Sequence, residues 1–314
     1  MNIYIPDYYT EFSCIADKCR HSCCIGWEID IDPETYQVYQ GVPGDFGDRL
    51  RHGVEQGEDG AHFCLTEGER CPFLNQDNLC DIILQLGEDA LCQICTDHPR
   101  FRNFFSDREE LGLGLCCEAV AKLILTRQKK TEFLPLHTEG EELSEPEEDA
   151  FFALRDRIYE VLQDRTRTVA VRMAHLMEVY EVFLPDLTFA QWAEVFWQLE
   201  RLEPIWTDRL AELKTLQEVP PELFSAPHWE IAWEQLLVYF VHRHLAEGLY
   251  DGRLRPRLGF ALLSVTVLQG LCAAHAQNHG SVTMEDLTEL ARQYSSEVEY
   301  SEGNMETLLE FLDT

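Results

Sequence analysis

Apolar positions in the second half of the chain recur at the i, i+3, i+4, i+7 spacing of helices that bury one face. Phe151, Leu154, Ile158, Val161 and Leu162 mark one such face. A second helix is expected from Thr188, where Thr188 and Gln191 form a capping-box pair that satisfies the first free amides, and it predicts burial of Trp192, Val195, Phe196, Leu199 and Leu202. Further helices are expected over 229–246, 258–276, 284–294 and 305–311. The 258–276 window is the most apolar, yet Gly259, Ser264, Thr266, Gln269, Gly270 and His275 interrupt it. It therefore reads as a buried helix, since a membrane span needs about 20 nearly unbroken apolar residues. Period-two alternation is thin. Residues 27–31 alternate weakly, and residues 75–78 suit the turn of a short hairpin. The predicted fold is mainly α: a cysteine-rich metal-cluster domain of short loops with room for a small β-hairpin, followed by an all-α helical domain.

Composition changes after Thr131. The run from Thr138 to Asp149 carries six glutamates and one aspartate, and it reads as a solvated linker. The boundaries this predicts are a cysteine-rich domain over 1–135, an acidic linker over 136–150 and a helical domain over 151–314. The chain of 314 residues holds 57 acidic and 25 basic side chains, a formal net charge of -32. Such a surface repels phosphate backbones and anionic lipid, so neither nucleic acid nor a membrane is an expected partner. It favours a basic macromolecule or a cationic side chain, although acidity also serves solubility alone.

Eleven of the twelve cysteines fall within the first 117 residues. Thiols this dense either pair as disulfides or hold soft metal, and the redox compartment decides which. The first residues lack the basic and apolar regions of a secretory signal, which points to a cytoplasmic, reducing location and hence to metal. Cys272 stands apart in an apolar stretch and reads as a small buried hydrophobe. Only Cys92 and Cys95 have the two-residue gap by which one turn of backbone offers two thiolates to one metal. The other spacings match no zinc ribbon, and Cys19, Cys23 and Cys24 do not make the three-cysteine loop of radical enzymes. Thiolate ligation suits zinc and iron–sulfur alike, but more than four candidates tilt the choice toward a cluster or two metals. His21, His52, His62 and His98 are possible further ligands, each more simply a surface or hydrogen-bonded histidine.

The segments Phe12-Ser-Cys14, Cys19-Arg-His-Ser-Cys23-Cys24-Ile-Gly-Trp27-Glu-Ile-Asp-Ile-Asp32, Cys71-Pro-Phe-Leu, Leu79-Cys80, Leu86-Gly-Glu88, Leu91-Cys92, Cys95, His98-Pro-Arg100 and Cys116-Cys117-Glu-Ala119 resemble the flagellin lysine N-methylases, the FliB-like proteins. That family shares its cysteine-rich region with YkgJ-type proteins. Tyr294-Ser-Ser-Glu-Val-Glu-Tyr-Ser-Glu-Gly-Asn304 is similar to the family's closing segment. Departures are Cys117 in place of a proline, and Ser296 and Tyr300 in place of an arginine and a histidine.

The resemblance implies an iron–sulfur cluster of the four-iron, four-sulfur type, with zinc the alternative, and transfer of methyl from S-adenosylmethionine to lysines of flagellin or another lysine-bearing protein. Its metal ligands would come from Cys19, Cys23, Cys71, Cys80 and Cys95, then Cys14, Cys24, Cys92 and Cys116; Cys64 and Cys117 have no counterpart in the motifs. A lysine amine near pKa 10.4 must be desolvated or meet a base before it attacks a sulfonium. Candidate bases are Glu28, Asp30, Asp32, Glu118 and Glu299, each more simply a surface carboxylate. Trp27 would shield the metal or stack on a ligand, or else be a core residue. Arg100 would bind the cofactor carboxylate or brace the thiolates, and bracing is the simpler role. No glycine-rich nucleotide fingerprint is present, so a standard methyltransferase sheet is not expected. The competing readings are a non-catalytic zinc or iron–sulfur protein with a helical interaction domain, and an electron-transfer protein.

Overall fold

The computed structural model describes residues 2–57, 60–138 and 145–313. Two compact units emerge, one formed by Ser13–Arg100 and the other by Met1–Phe12 with Phe101–Thr314.

The smaller unit builds its core from Ile29, Ile31, Tyr39, Leu50, Phe63, Phe73 and Ile82, with Cys71 and Cys92 buried among them. The weak alternation at 27–31 becomes the short strand Asp30–Ile31, which pairs antiparallel with Ala61–Phe63, and that strand pairs with Val54–Gln56. Asp32 then caps the Pro33–Gly41 helix by accepting the Thr35 amide at 2.9 Å, while its other oxygen accepts the Gln93 amide at 2.8 Å. The expected turn at 75–78 is present: Asn75 Oδ1 accepts the amides of Asp77 and Leu79 at 2.9 and 3.0 Å, closing a bridge between Leu74 and Cys80.

The larger unit is mainly helical, but it is not all-α. A four-stranded sheet runs in the order Arg100–Phe104, Arg108–Leu113, Asn2–Pro6, Phe133–His137. Asn2–Pro6 lies parallel to Arg108–Leu113 and antiparallel to Phe133–His137, so the chain's first residues belong here and the cysteine-rich unit is an insertion narrower than 1–135. The sheet escaped detection because its strands break the apolar alternation. Glu109 and Glu110 are both buried, and Phe133–His137 carries a proline.

The charge on Glu110 persists inside because Arg155 meets it bidentately at 2.6 and 2.7 Å. Burial alone would raise the carboxyl's pKa, and the Arg155 guanidinium more than reverses this. Arg155 comes from the Pro146–Leu162 helix, which begins inside the expected linker. Glu148 of that run is buried rather than solvated, accepting the Ser106 amide at 2.9 Å and its hydroxyl. Residues 139–144 of the same run lie outside the described residues.

The remaining helices pack around Leu254–His279, whose most apolar window is 83% buried, the signature of a core helix. Phe189–Trp197 carries the expected capping box and buries Trp192 and Phe196, whereas Leu202, beyond its end, is 56% exposed. The expected helices also appear at Pro227–His244, Met284–Tyr294 and Glu302–Leu312. Val169–Tyr180 and Pro204–Thr215 were not anticipated. Cys272 is fully buried in the central helix.

Replacing Arg155 by alanine leaves the Glu110 charge buried and unpaired, and a loss of about 3–5 kcal/mol in urea unfolding is expected. A loss below about 1 kcal/mol, the range of exposed pairs, would show that the pair does not hold the sheet to the helices.

Candidate functional site

In the smaller unit, interactions among sulfurs gather Cys23, Cys24, Cys71, Cys80, Cys92 and Cys95. Two strands of loop are zipped to achieve this. The Cys71 amide donates to the Cys24 carbonyl at 2.8 Å, and Gly26 donates to the Glu69 carbonyl at 3.0 Å from a left-handed φ of 94°. Cys92 stands at the N-cap of the Gln93–Asp97 turn that carries Cys95.

Backbone amides point at the sulfurs: Phe73 and Leu74 at Cys71, Ile82 and Ile83 at Cys80, and Cys95 at Cys92. Such amides favour sulfur in its charged form. Burial opposes ionisation, pushing Cys71 up to about 12 and raising Cys80. Cys24 runs the other way, lowered to about 7 chiefly by the Cys23 hydrogen bond. Cys92 and Cys95 share a hydrogen bond, so one ionises at the other's expense. A set of sulfurs with donors in place but too little solvent to ionise together is what a cation relieves.

The other expected residues fall elsewhere. The exposed Cys14 accepts the Ala16 amide at 3.4 Å, and Cys19 turns to the His21 carbonyl at 3.3 Å. Cys64 donates its amide to the Gly53 carbonyl at 2.9 Å, and burial followed by the Glu55 charge raises its thiol. All twelve cysteines are free thiols. Trp27 is not a core residue: it is 38% exposed, and its indole donates to the Cys23 carbonyl at 2.6 Å, which braces the cysteine loop. Its ring meets His98 at 6.0 Å. Arg100 donates to the Thr96 carbonyl at 3.1 Å. His52 contacts the Asp48 carbonyl at 2.6 Å, and His62 faces the exposed Glu28 at 3.9 Å.

Asp32 is a cap rather than a base. Burial would raise it, but the Gln93 and Thr35 amides hold it below the usual carboxylate range. Asp30 is exposed, and Glu118 occupies the first turn of Glu118–Leu125, where a carboxylate complements the helix dipole.

Glu299 is different. The Met284–Tyr294 helix widens into the π-helical turn Ser295–Glu299, a form often found at functional sites, and Glu299 ends that turn with a fully buried side chain. Its carboxylate meets His244 Nε2 at 2.6 Å and Arg243 Nε at 3.4 Å, and accepts the Tyr239 hydroxyl at 3.0 and 3.1 Å. Tyr239 in turn accepts the Leu115 amide at 3.1 Å and Arg243 Nη1 at 2.9 Å. Burial would raise the pKa of Glu299, and Arg243 followed by His244 pulls it below the ordinary value. His244 is lowered by burial despite Glu299, and so stays neutral. With Nε2–H directed at Glu299, its Nδ1 is the free acceptor.

An open cleft of about 400 Å³ exposes this group, lined by Arg243, His244, Glu247, Glu299, Glu302 and Glu306. Cys116 lies in this unit, hydrogen-bonded to Tyr300 and facing Arg243; burial pushes its thiol up to about 12. Tyr300 and Ser296 stand at the two departures from the closing-segment pattern, and they carry the Arg243 guanidinium over a ring at 4.6 Å and a hydrogen bond from Arg292 at 3.4 Å.

Residues 190–314 match the family described as the FliB lysine N-methylase C-terminal domain. This part of the chain, its last 125 residues, is similar to the FliB-like proteins. The chain is 30% identical over 131 residues to a lysine-N-methylase of Salmonella choleraesuis and 29% identical over 130 residues to that of Salmonella typhimurium, each stretch being 38% of this chain and 31% of the relative. It thus spans less than a third of the length of these relatives. A flagellar biosynthetic protein FliU of Salmonella muenchen is 28% identical over 134 residues, 38% of this chain and 75% of the relative. No solved structure matches significantly. The matched region contains Tyr239, Arg243, His244 and Glu299 together. Only Glu299 was anticipated. The signal for the others was the polar triplet His242-Arg243-His244 closing an otherwise apolar helix.

In metal-free, reduced protein, iodoacetamide labelling of Cys24 is expected to rise through about pH 7, while Cys71 and Cys116 resist until far more alkaline conditions. Peptide mass spectrometry checks the order; equal rates for the three would contradict the described environments.

Proposed function

We propose that this chain takes part in protein lysine N-methylation, with methyl supplied by S-adenosylmethionine, lysines of flagellin or a similar protein as acceptors, and an iron–sulfur cluster held by the cysteine unit. The observation that carries the reading is the match of residues 190–314 to the FliB lysine N-methylase C-terminal domain, in the region that builds the Glu299 cleft. Relatives named lysine-N-methylase and flagellar biosynthetic protein support the acceptor class. The cleft carboxylates Glu247, Glu302 and Glu306 suit a cationic side chain.

The donor set bears on the metal. Six gathered sulfurs, more than the four that close a zinc site, with amides directed at them, suit a polynuclear cluster. Cys23, Cys24, Cys71, Cys80, Cys92 and Cys95 would supply its ligands, and the cluster would bring a redox-active, Lewis-acidic centre.

At the cleft, the lysine ammonium gives a proton to His244 Nδ1, and Glu299 stabilises the imidazolium so formed. The free amine then attacks the sulfonium methyl; the new C–N bond forms as the C–S bond breaks, and S-adenosylhomocysteine leaves. The product leaves as a methylated ammonium, and the His244 imidazolium gives its proton to solvent, which restores the base. The first proton transfer runs uphill: an ordinary amine near pKa 10.4 and imidazole near 6.5 differ by about 5 kcal/mol, and burial of His244 widens the gap. Desolvation in the cleft and the Arg243 charge lower the amine's pKa and narrow that gap.

Anaerobically purified chain incubated with radiolabelled S-adenosylmethionine and flagellin is expected to label lysines. Changing His244 to Asn should cut kcat/KM by about 100-fold or more, as for loss of a general base. In the wild type the acidic limb of kcat/KM should lie below the ordinary imidazole value of about 6.5, because burial lowers His244 and keeps the base form present to lower pH. No transfer to any lysine-bearing protein, or an unchanged variant, refutes the assignment. The cluster is checked separately: Cys95→Ser should lose iron and sulfide, and Cys64→Ser should keep both.

A further inference from the structure

We propose that Glu212, His275 and His279 form a second metal site, for one imidazole-preferring divalent cation such as zinc. One carboxylate oxygen of Glu212 and one ring nitrogen from each histidine lie within 4.8 Å of one another, the only such trio among the described residues. His275 and His279 are four residues apart on Leu254–His279, so one helix face presents both rings, whose centroids are 4.3 Å apart at 27°. Glu212 arrives from the packed helix Pro204–Thr215 and already holds His279 Nε2 at 2.9 Å.

Two helices end here together. Glu212 is in the last turn of its helix, and the two histidines are in the last two turns of theirs, so the negative ends of both helix dipoles face the trio. A carboxylate also waits beyond it: Asp286, from Met284–Tyr294, stands 3.5 Å from His275 Nε2 and would serve as a further ligand or orient the ring.

The opposing group is Arg209, whose Nη1 lies 3.3 Å from both His275 Nδ1 and a Glu212 oxygen. It is a single positive charge at the place a dication would take. Metal binding therefore exchanges the guanidinium for a cation that all three ligands can share. Two imidazoles and a carboxylate leave at least one position for water and suit zinc, nickel or cobalt better than magnesium or calcium. The site is independent of the cysteines and of the methyl-transfer reading.

Cobalt titration of the full chain separates the two centres, because thiolate ligation adds strong near-ultraviolet charge transfer and nitrogen–oxygen ligation gives only weak visible bands. Chain whose cysteine centre is already loaded is expected to take up one further equivalent of cobalt with visible bands and no new charge transfer. The double variant His275→Ala, His279→Ala should lose that equivalent, and zinc should raise the thermal midpoint of the wild type but not of the variant. Glu212→Gln, which preserves shape, should weaken binding by about 10-fold or more if a direct ligand is lost. Equal uptake with the same visible spectrum in wild type and all variants, or no uptake by the wild type, overturns the site.

Discussion

The larger unit depends on keeping one carboxylate ionised in the buried wall of its cleft. Glu299 is fully buried, and only the simultaneous presence of Arg243, His244 and Tyr239 makes its charge tolerable. Each partner comes from Pro227–His244, so the end of that helix and the π-helical turn are fixed to one another. An ordinary α-helical continuation after Tyr294 would rotate Glu299 off this register; the extra residue in the turn sets the angle. Tyr300 follows immediately and lies under the same guanidinium, and Cys116 hydrogen-bonds to Tyr300. The departure from the family pattern at 300 is thus accommodated by a residue that braces this group, while Ser296 accepts a hydrogen bond from Arg292 instead.

Most helices whose burial follows one face were legible in the chain, and so was one cap. Thr188 with Gln191 marked a true N-terminus, and Met284–Tyr294 was found to the residue. The sheet was not legible, because Glu109 and Glu110 sit at buried strand positions and read as surface until their partners Arg102 and Arg155 are seen. Arg155 lies 45 residues from Glu110, beyond any local window, and Arg102, only 7 residues from Glu109, meets it because their two strands pair. The acidic run misled for the same reason: Glu148 looks solvated in sequence, yet it caps Ser106.

At the cysteines, sequence crowding marked the region where sulfurs gather but did not distinguish which of them do. Cys71, Cys80, Cys92 and Cys95 stand where loop and helix-start amides converge, whereas Cys14 lies exposed and Cys116 belongs to the other unit. Trp27 was read by its bulk as core, and the indole N–H proved decisive instead, since it holds the Cys23 carbonyl. For His275 and His279 the four-residue spacing was visible, but their meaning required Glu212, far away in sequence.

The insertion of Ser13–Arg100 between the first strand and the rest of its sheet also shapes how the molecule comes together. Asn2–Pro6 precedes the insertion and has no partner in its sheet until Arg108–Leu113 and Phe133–His137 have been made. Joining these strands across a floppy excursion of that length costs about 4 kcal/mol of chain entropy. If the excursion has first condensed around its own core and sulfurs, the effective loop is short and the cost falls. A cysteine unit that condenses first therefore lowers the entropic cost of closing a sheet that contains almost none of it.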